Sequence, residues 1–392
     1  RHLGCDAAVM VTASHSPPED NGYKVYLGGR VVTDSGQGSQ IVPPFDSEIF
    51  RAILAVPSVA SVARAETGWE VLGPEVLDAY LDRVVSLVPG GHKDLRIVVT
   101  SMHGVGGAPA LEALNRAGFH DVHVVAEQQR PDPDFPTVRF PNPEEPGALD
   151  LAMELARRVD ADLVLANDPD ADRCSAAVPD AGVEGGWRQL TGDQVGALLG
   201  LQAARAHEGE GSGEGVEARG AVLANSVVSS RLLAKVAHAH GVGHRTTLTG
   251  FKWISRAPGL VFGYEEALDG LARDFGLHAT SPLTIRVEDL DLIATGMANL
   301  RAGGPQSLAG SPVVEVTDLS AGSEELPPTD AMVFRTAADD RVVARPSGTE
   351  PKLKCYCEVV VAVEGEDVAA ARERAADRLA AVKADMRAAL GI

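Results

Sequence analysis

Cysteine is too scarce and scattered here to staple a fold. Cys5, Cys174, Cys355 and Cys357 are the whole complement, and a disulfide framework needs more of them at closer spacing. Reduced thiols in a cytoplasmic protein are the expectation, with Cys355 and Cys357 two apart on one face of a strand. Basic residues are also short. Lys and Arg number 35 against 55 Asp and Glu, a formal charge of -20, which argues against general binding to nucleic acid or to an anionic membrane. An anionic substrate must then be gripped by local basic groups. No run approaches the about 18 apolar residues of a membrane helix, and Arg1-His2-Leu3-Gly4-Cys5-Asp6 lacks the apolar core of a signal peptide. The initiator Met is missing too, and the chain enters the apolar run Ala7-Ala8-Val9-Met10-Val11 almost at once. An N-terminal portion beyond this sequence is therefore expected.

What is present suits a folded protein of about two to four domains: 392 residues, 45% of them hydrophobic, enough for buried cores. Short Val/Ala-rich runs alternate with longer Ala/Leu/Arg segments of helical period, which predicts an α/β protein of parallel sheets and crossover helices. The expected buried strands are Ala7–Thr12, Leu95–Thr100, Val122–Ala126, Leu163–Asn167 and Ala221–Asn225. Two pairs of strand ends echo each other. Val11-Thr12-Ala13-Ser14-His15 resembles Val99-Thr100-Ser101-Met102-His103, and Val164-Leu165-Ala166-Asn167 resembles Val222-Leu223-Ala224-Asn225. Such echoes fit either a duplicated α/β unit or chance. Polar residues at strand ends lie where open α/β sheets bind ligands.

Arg130 to Pro146 holds eight prolines and aspartates and reads as a long surface loop. The Gly/Glu stretch His207 to Gly215 reads as a mobile loop or linker. Near the C-terminus, Leu353, Cys355 and Cys357 alternate with Lys354, Tyr356 and Glu358, a two-faced strand that runs into Val359-Val360-Val361. An Ala/Arg/Leu helix over Asp367 to Leu390 is expected to pack on its sheet, making a C-terminal α+β domain.

Three segments carry chemistry. Ser14 lies in a turn-rich loop with His15 and Lys24 close in sequence, and a hydroxyl becomes a competent nucleophile only beside such a base or cation. The segment also fits a surface loop with a capping serine. No Gly-x-Ser-x-Gly elbow surrounds it. Asp168, Asp170 and Asp172 alternate, so a strand end or tight loop can turn all three toward one hard cation. An EF-hand loop would need Gly at Arg173 and Glu at Pro179, which leaves a cation site or a solvated acidic turn. Arg345-Pro346-Ser347-Gly348-Thr349 offers a guanidinium, two hydroxyls and glycine-exposed N–H groups, with Lys352 and Lys354 behind, the donors that hold a phosphate monoester. A positively charged turn without a ligand is the alternative. Glu265 and Glu266 could accept bonds from vicinal sugar hydroxyls, and Thr249, Gly250 and Lys252 place glycine backbone and a lysine at another loop.

Together these segments resemble the α-D-phosphohexomutase family, which contains phosphoglucomutases and phosphomannomutases. Thr12 to Pro17 with Asn21-Gly22-Tyr23-Lys24 matches its phosphoserine loop, Asp168 to Arg173 its metal loop, and Arg345 to Lys352 its phosphate loop. The likeness spans nearly the whole chain. It implies several similar α/β domains around a central cleft plus a C-terminal α+β domain: a phosphoserine domain over 1–85, N-terminally incomplete; a metal-binding domain over 86–206; a shortened sugar-binding domain over 216–275; and a phosphate-binding domain over 276–392. Ser14 would carry the phosphoryl group, and Asp168, Asp170 and Asp172 would bind magnesium with it. Arg173 would offset charge on the transferring group, and Lys24, favoured on the family's pattern, or His15 would handle the sugar's proton. Glu265 would hold sugar hydroxyls, while Arg345, Ser347, Gly348, Thr349 and Lys354 would grip the distal phosphate. Thr249 to Ile254 and Tyr264 to Ala267 look like the branch that includes phosphoglucomutases and phosphopentomutases.

The resemblance implies a magnesium-dependent mutase interconverting hexose 1-phosphate and 6-phosphate, of glucose or mannose, as a monomer or small homo-oligomer. Pentose phosphate as substrate, a sugar bisphosphate synthase and a non-catalytic sugar-phosphate binder are the alternatives. The chain departs from the family's pattern at Ser16, where Asn is usual, and at Ala267, where many relatives have Ser. After Asp269-Gly270, relatives continue with a Lys-Asp-Gly turn, a strand and a helix. Here Leu271-Ala272-Arg273-Asp274-Phe275 already reads as the approach to the last domain, so a segment including a phosphate-contacting lysine is expected to be absent.

Overall fold

The computed structural model describes residues 2–87, 90–145, 147–265, 277–287, 291–347, 352–363 and 368–391. The chain forms two compact units, Arg1–Leu190 and Thr191–Ile392.

In the first unit a five-stranded sheet runs in the order Asp121–Val124, Arg96–Thr100, Leu163–Asn167, Cys174–Pro179, Trp187–Gln189. The first three strands are parallel and the last two antiparallel. Val98, Val164, Ala166 and Ala177 pack beneath Ala152 and Ala156 of the helix Asp150–Val159. None of the residues of Arg96–Thr100 and Leu163–Asn167 is exposed, which is why these strands read as apolar runs. The sheet matters for function because Leu163–Asn167 delivers Asp168 at its carboxyl end.

The N-terminal run departs from its expected role. Ala7–Val11 is a strand, but it pairs antiparallel with Tyr23–Leu27 in a two-stranded ribbon. All five of its residues are exposed. An apolar run signals capacity for burial, and the described residues of this unit place nothing over it. The ribbon's use is its connection: Val11 and Tyr23 are cross-strand partners, so residues 12–22 form the loop that carries Ser14.

The second unit holds two larger sheets. Gly243–Thr247, Val222–Ser226 and Leu260–Tyr264 make a parallel three-stranded sheet with Val222–Ser226, buried throughout, at its centre. The helix Gly192–Ala206 begins with a Thr191/Gln194 capping box, which satisfies two N-terminal N–H groups. The other sheet is antiparallel, in the order Leu277–Arg286, Lys352–Val361, Arg341–Pro346, Met332–Thr336, Ser311–Asp318, Ser307–Leu308. Leu353, Cys355, Cys357 and Val359 face Met297, Leu300, Val382 and Met386 of the helices Asp291–Gly303 and Val368–Leu390. The expected C-terminal α+β arrangement is thus present, and the two thiols are free and buried in its core. Burial pushes both up to about 12.

The Gly/Glu stretch is built structure, not a linker. Gly211–Ser212 pairs with Arg219–Gly220, Gly209 and Gly211 donate to His240 and Gly241 carbonyls, and His244 N donates to Gly213 O. Its glycines supply positive φ and close backbone approach, features indistinguishable in sequence from flexibility. Ala267, Asp269-Gly270 and Leu271 to Phe275, where the shortened sugar domain was expected, lie outside the described residues. No described helix is long and apolar enough to cross a membrane.

Candidate active site

Residues 12–22 are pinned at their base by Thr12 N donating to Gly22 O at 3.0 Å. A Cβ at Gly22 would lie 2.7 Å from Thr12 O, so that crossing requires glycine. Ser14 takes the left-handed conformation at φ 55°, a cost of about 1–3 kcal/mol for a non-glycine residue that surrounding contacts must offset. Its Oγ lies 3.3 Å from Asp168 Oδ2, 3.3 Å from Asp170 Oδ1 and 3.2 Å from His15 Nδ1.

The acidic loop turns tightly, with Ala171 N donating to Asp168 O at 3.0 Å and Ala171 itself at φ 57°. Arg173 N donates to Asp168 Oδ1 at 2.9 Å, and Asn167 Nδ2 donates to Arg173 O at 2.9 Å. One carboxylate oxygen from each of Asp168, Asp170 and Asp172 lies within 4.8 Å of the others. Lys24, from the second strand of the ribbon, reaches the loop with Nζ 2.8 Å from Asp170 Oδ2 and 2.6 Å from Asp172 Oδ2.

Electrostatics follow from this crowding. Burial raises Asp168 to about 7; the Arg173 N–H bond opposes this, while the neighbouring carboxylates add to it. Burial works against ionised Asp170 as well, but the Lys24 ammonium and hydrogen bonds from Asp168 and Thr12 outweigh it and hold the carboxyl at about 2. Burial opposes the charge on Lys24, and its hydrogen bonds and ion pairs with Asp170 and Asp172 overcome that, so it stays an ammonium. His15 is pushed below its ordinary value by burial and then by the Arg173 charge, against the pull of Asp172, Asp170 and Glu144. Hard oxygen donors converge here, and Asp168 lacks enough positive charge to ionise readily. That donor set fits a divalent cation held by carboxylates.

The loop is scaffolded from behind by a segment whose role sequence alone did not disclose. Val105 N donates to Pro169 O at 2.9 Å, and a Cβ at Gly104 would lie 2.4 Å from Pro169 Cα. The only advance sign was that Val99 to His103 echoes the serine segment.

In the second unit, Gly250 N donates to Glu265 Oε2 at 2.7 Å, and Gly250 has φ 105°, open to glycine but not to other residues. Lys252 lies in the adjoining helix Phe251–Ile254. Arg345 Nη1 donates to Thr249 Oγ1, so the sugar-loop and phosphate-loop candidates meet there. Arg345 and Lys354 are cross-strand partners, Lys354 Nζ lies 5.7 Å from the Tyr356 ring centroid, and Ser347 N donates to Lys352 O at 2.9 Å. Glu266, Gly348 and Thr349 lie outside the described residues. Ser14, His15, Lys24, Asp168, Asp170, Asp172 and Arg173 thus gather in the first unit, and Thr249, Gly250, Glu265, Arg345 and Lys354 in the second.

Models of the phosphoglucomutase/phosphomannomutase domains match in order along the chain: alpha/beta/alpha domain I over residues 1–55, domain II over 78–182, domain III over 191–283 and the C-terminal domain over 297–381. A probable phosphomannomutase of Haemophilus influenzae is 39% identical over 397 residues, covering 91% of this chain and 78% of that protein. The chain belongs to the phosphoglucomutase/phosphomannomutase family. It is therefore a phosphosugar mutase, an isomerase working by intramolecular phosphoryl transfer. A phosphoglucomutase of Staphylococcus epidermidis is 30% identical over 91% of this chain and 74% of its own length, and the phosphopentomutase of Homo sapiens 29% over 91% and 69%. Among solved structures, a phosphoglucomutase/phosphomannomutase family protein from Burkholderia thailandensis shares the fold at a TM-score of 0.63 and 18% identity, covering 98% of this chain and 76% of that one. The open form of the parafusin phosphoglucomutase from Paramecium does so at 0.64 and 17%, covering 99% and 79%.

Proposed function

We propose that this phosphoglucomutase/phosphomannomutase family member interconverts hexose 1-phosphate and hexose 6-phosphate, of glucose or mannose, through a phosphoserine at Ser14 and a bisphosphorylated sugar. The observation that carries the reading is the placement of Ser14 Oγ 3.3 Å from both Asp168 and Asp170. A phosphoryl group on that oxygen sits against carboxylates that tolerate it only with a shared cation. Asp168, Asp170 and Asp172, with the Ser14 oxygen, would hold Mg2+, whose charge offsets that on the transferring group. Arg173 adds a fixed guanidinium to the same loop.

In the forward step a sugar hydroxyl oxygen bonds to phosphorus while the Ser14 Oγ–P bond breaks. The hydroxyl proton passes to a protein base, and Ser14 Oγ is reprotonated. The bisphosphorylated sugar then turns over and returns its other phosphate to Ser14 by the reverse exchange, so the enzyme ends as it began. His15, whose Nδ1 lies 3.2 Å from Ser14 Oγ, would serve the serine oxygen, and Lys24 is the family-pattern candidate for the sugar hydroxyl. Glu265 would receive sugar hydroxyls, and Arg345, Ser347, Gly348, Thr349 and Lys354 would receive the distal phosphate.

Pentose phosphate is a second reading, supported by similarity to a human phosphopentomutase and a yeast phosphoribomutase. Turnover of glucose, mannose and ribose 1-phosphates, each with and without a hexose 1,6-bisphosphate, separates the readings and distinguishes a mutase from a bisphosphate synthase. Ser14→Ala is expected to abolish both turnover and protein-bound phosphate while sugar-phosphate binding stays measurable. Unchanged turnover in that variant overturns the mechanism.

A further inference from the structure

We propose that Thr12 is a positioning residue that ties the nucleophilic serine to the central carboxylate of the acidic loop, an inference that rests on the mutase reading above. The Thr12 hydroxyl sits between two groups of fixed polarity. Ser14 N can only donate, and it does so to Thr12 Oγ1 at 2.8 Å. The single Thr12 proton therefore goes to its other neighbour, Asp170 Oδ2, at 3.0 Å. With Oδ2 occupied by Thr12 and Lys24, Asp170 presents Oδ1 to Ser14 Oγ. One hydroxyl thus helps hold Ser14 at its left-handed φ of 55° and sets which oxygen of Asp170 meets it.

The same device occurs a second time where no nucleophile exists. Thr100 Oγ1 accepts from Met102 N at 3.1 Å and donates to Gln128 Oε1 at 2.6 Å, and Met102 has φ 45°. The threonine turn is therefore a local means of placing the residue two positions on in the left-handed region. The two copies differ in what the hydroxyl proton meets. At Thr100 it is a buried amide, which makes that copy purely structural. At Thr12 it is a carboxylate of the acidic cluster, so the turn there couples strand end to cation loop. Thr12 is only partly buried on an exposed ribbon, and loss of its hydroxyl bonds should lower the melting temperature by only about 2–4 °C.

The test compares wild type, Thr12→Val, which keeps the shape without the hydroxyl, and Thr12→Ser, which keeps the hydroxyl. Readouts are Mn2+ affinity by calorimetry, kcat and KM for hexose 1-phosphate, and melting temperature. Thr12→Val is expected to lower kcat about 100-fold with KM little changed and to weaken Mn2+ about 10-fold, with Thr12→Ser restoring both. Thr336→Val, which removes a buried hydroxyl bond in the second unit, is the control and is expected to lower melting temperature without this kcat and Mn2+ signature. The proposal is overturned if Thr12→Val binds Mn2+ like wild type, if Thr12→Ser is as impaired as Thr12→Val, if the losses follow the melting temperature, or if wild type shows no saturable Mn2+ binding. Should wild type turn over no sugar phosphate, the mutase reading falls, and the Mn2+ comparison still decides the role of Thr12.

Discussion

Gly104 leaves no room for a methyl group. A Cβ there would meet Pro169 Cα at 2.4 Å and Pro169 O at 2.5 Å, and these are backbone atoms that cannot swing aside like a side-chain tip. Since Pro169 lies between Asp168 and Asp170, Gly104→Ala is expected to displace the carboxylates, weakening Mn2+ at least about 10-fold and lowering turnover about 100-fold. Calorimetric Mn2+ titration beside a turnover assay checks this, and wild-type affinity in the variant would reject the scaffold role. The contrast with the acids is instructive. Asp168, Asp170 and Asp172 are legible in sequence because three carboxylates so close in the chain repel one another unless a cation or a basic group offsets them. Gly104 is illegible because its constraint comes from a residue far along the chain that only the folded sheet brings against it. Thr12 stands between: its place in the motif is visible, but the direction of its single proton needs coordinates.

Strands that lie within the sheets were readable from their apolar runs. Arg96–Thr100, Leu163–Asn167 and Val222–Ser226 fall within a residue or two of expectation, because none of their residues is exposed and the hydrophobic signal is nearly unbroken. Ala7–Val11 has that signal without the burial, and composition cannot say what lies over a strand. The repeated strand ends also share local bonds. Asn167 Nδ2 reaches Arg173 O and Asn225 Nδ2 reaches Ser230 O, each tying a strand end to the loop beyond it. At the second of these ends, His244 Nε2 meets Asn225 Oδ1 at 3.0 Å, and the Glu214 carboxylate lies 3.9 Å from Nδ1. Burial lowers His244 from 6.5 to about 4. Between those values the unfolded chain binds a proton that the folded chain refuses. This contribution to stability is therefore whole above pH 6.5 and declines as pH falls toward 4. Asp168 is raised, and its own contribution slopes the opposite way over that range, so the comparison must be with a variant. Urea unfolding at about pH 7.5 and about pH 5 is expected to show wild type losing about 2 kcal/mol more than His244→Gln. Parallel losses would show that His244 is protonated in the fold.

At the scale of the whole molecule, each unit has its own core, and in the second a buried anion is among the contacts that join its two large sheets. Glu358, 1% exposed, accepts from Ser230 Oγ, Arg231 N and Arg231 Nε beside the parallel sheet, and from His278 Nδ1 on the antiparallel one. Arg341 Nε lies 3.2 Å from Oε2, the oxygen that also accepts from Arg231 Nε. Burial alone would protonate Glu358, but Arg341, the His278 hydrogen bond and Arg231 outweigh it and hold the carboxyl well below its ordinary range. In sequence Glu358 looks like the solvent-facing member of an alternating strand. The face it occupies is buried because Val227 and Val228 pack with Val343 there, a covering that periodicity cannot report. Glu358→Gln keeps the shape and removes the charge, leaving buried Arg341 without its paired carboxylate and half-buried Arg231 with Asp339 alone. Breaking such a pair from one side costs about 3–5 kcal/mol. Hydrogen exchange of the intact protein is expected to show faster exchange in Leu277–Arg286, Lys352–Val361 and Leu232–Ala239, with Leu163–Asn167 of the first unit as internal reference. The companion Glu358→Asp, which keeps the charge but shortens its reach, should be intermediate. Unchanged protection in the Gln variant would mean that the arginines find other partners, and that apolar packing alone holds the sheets together.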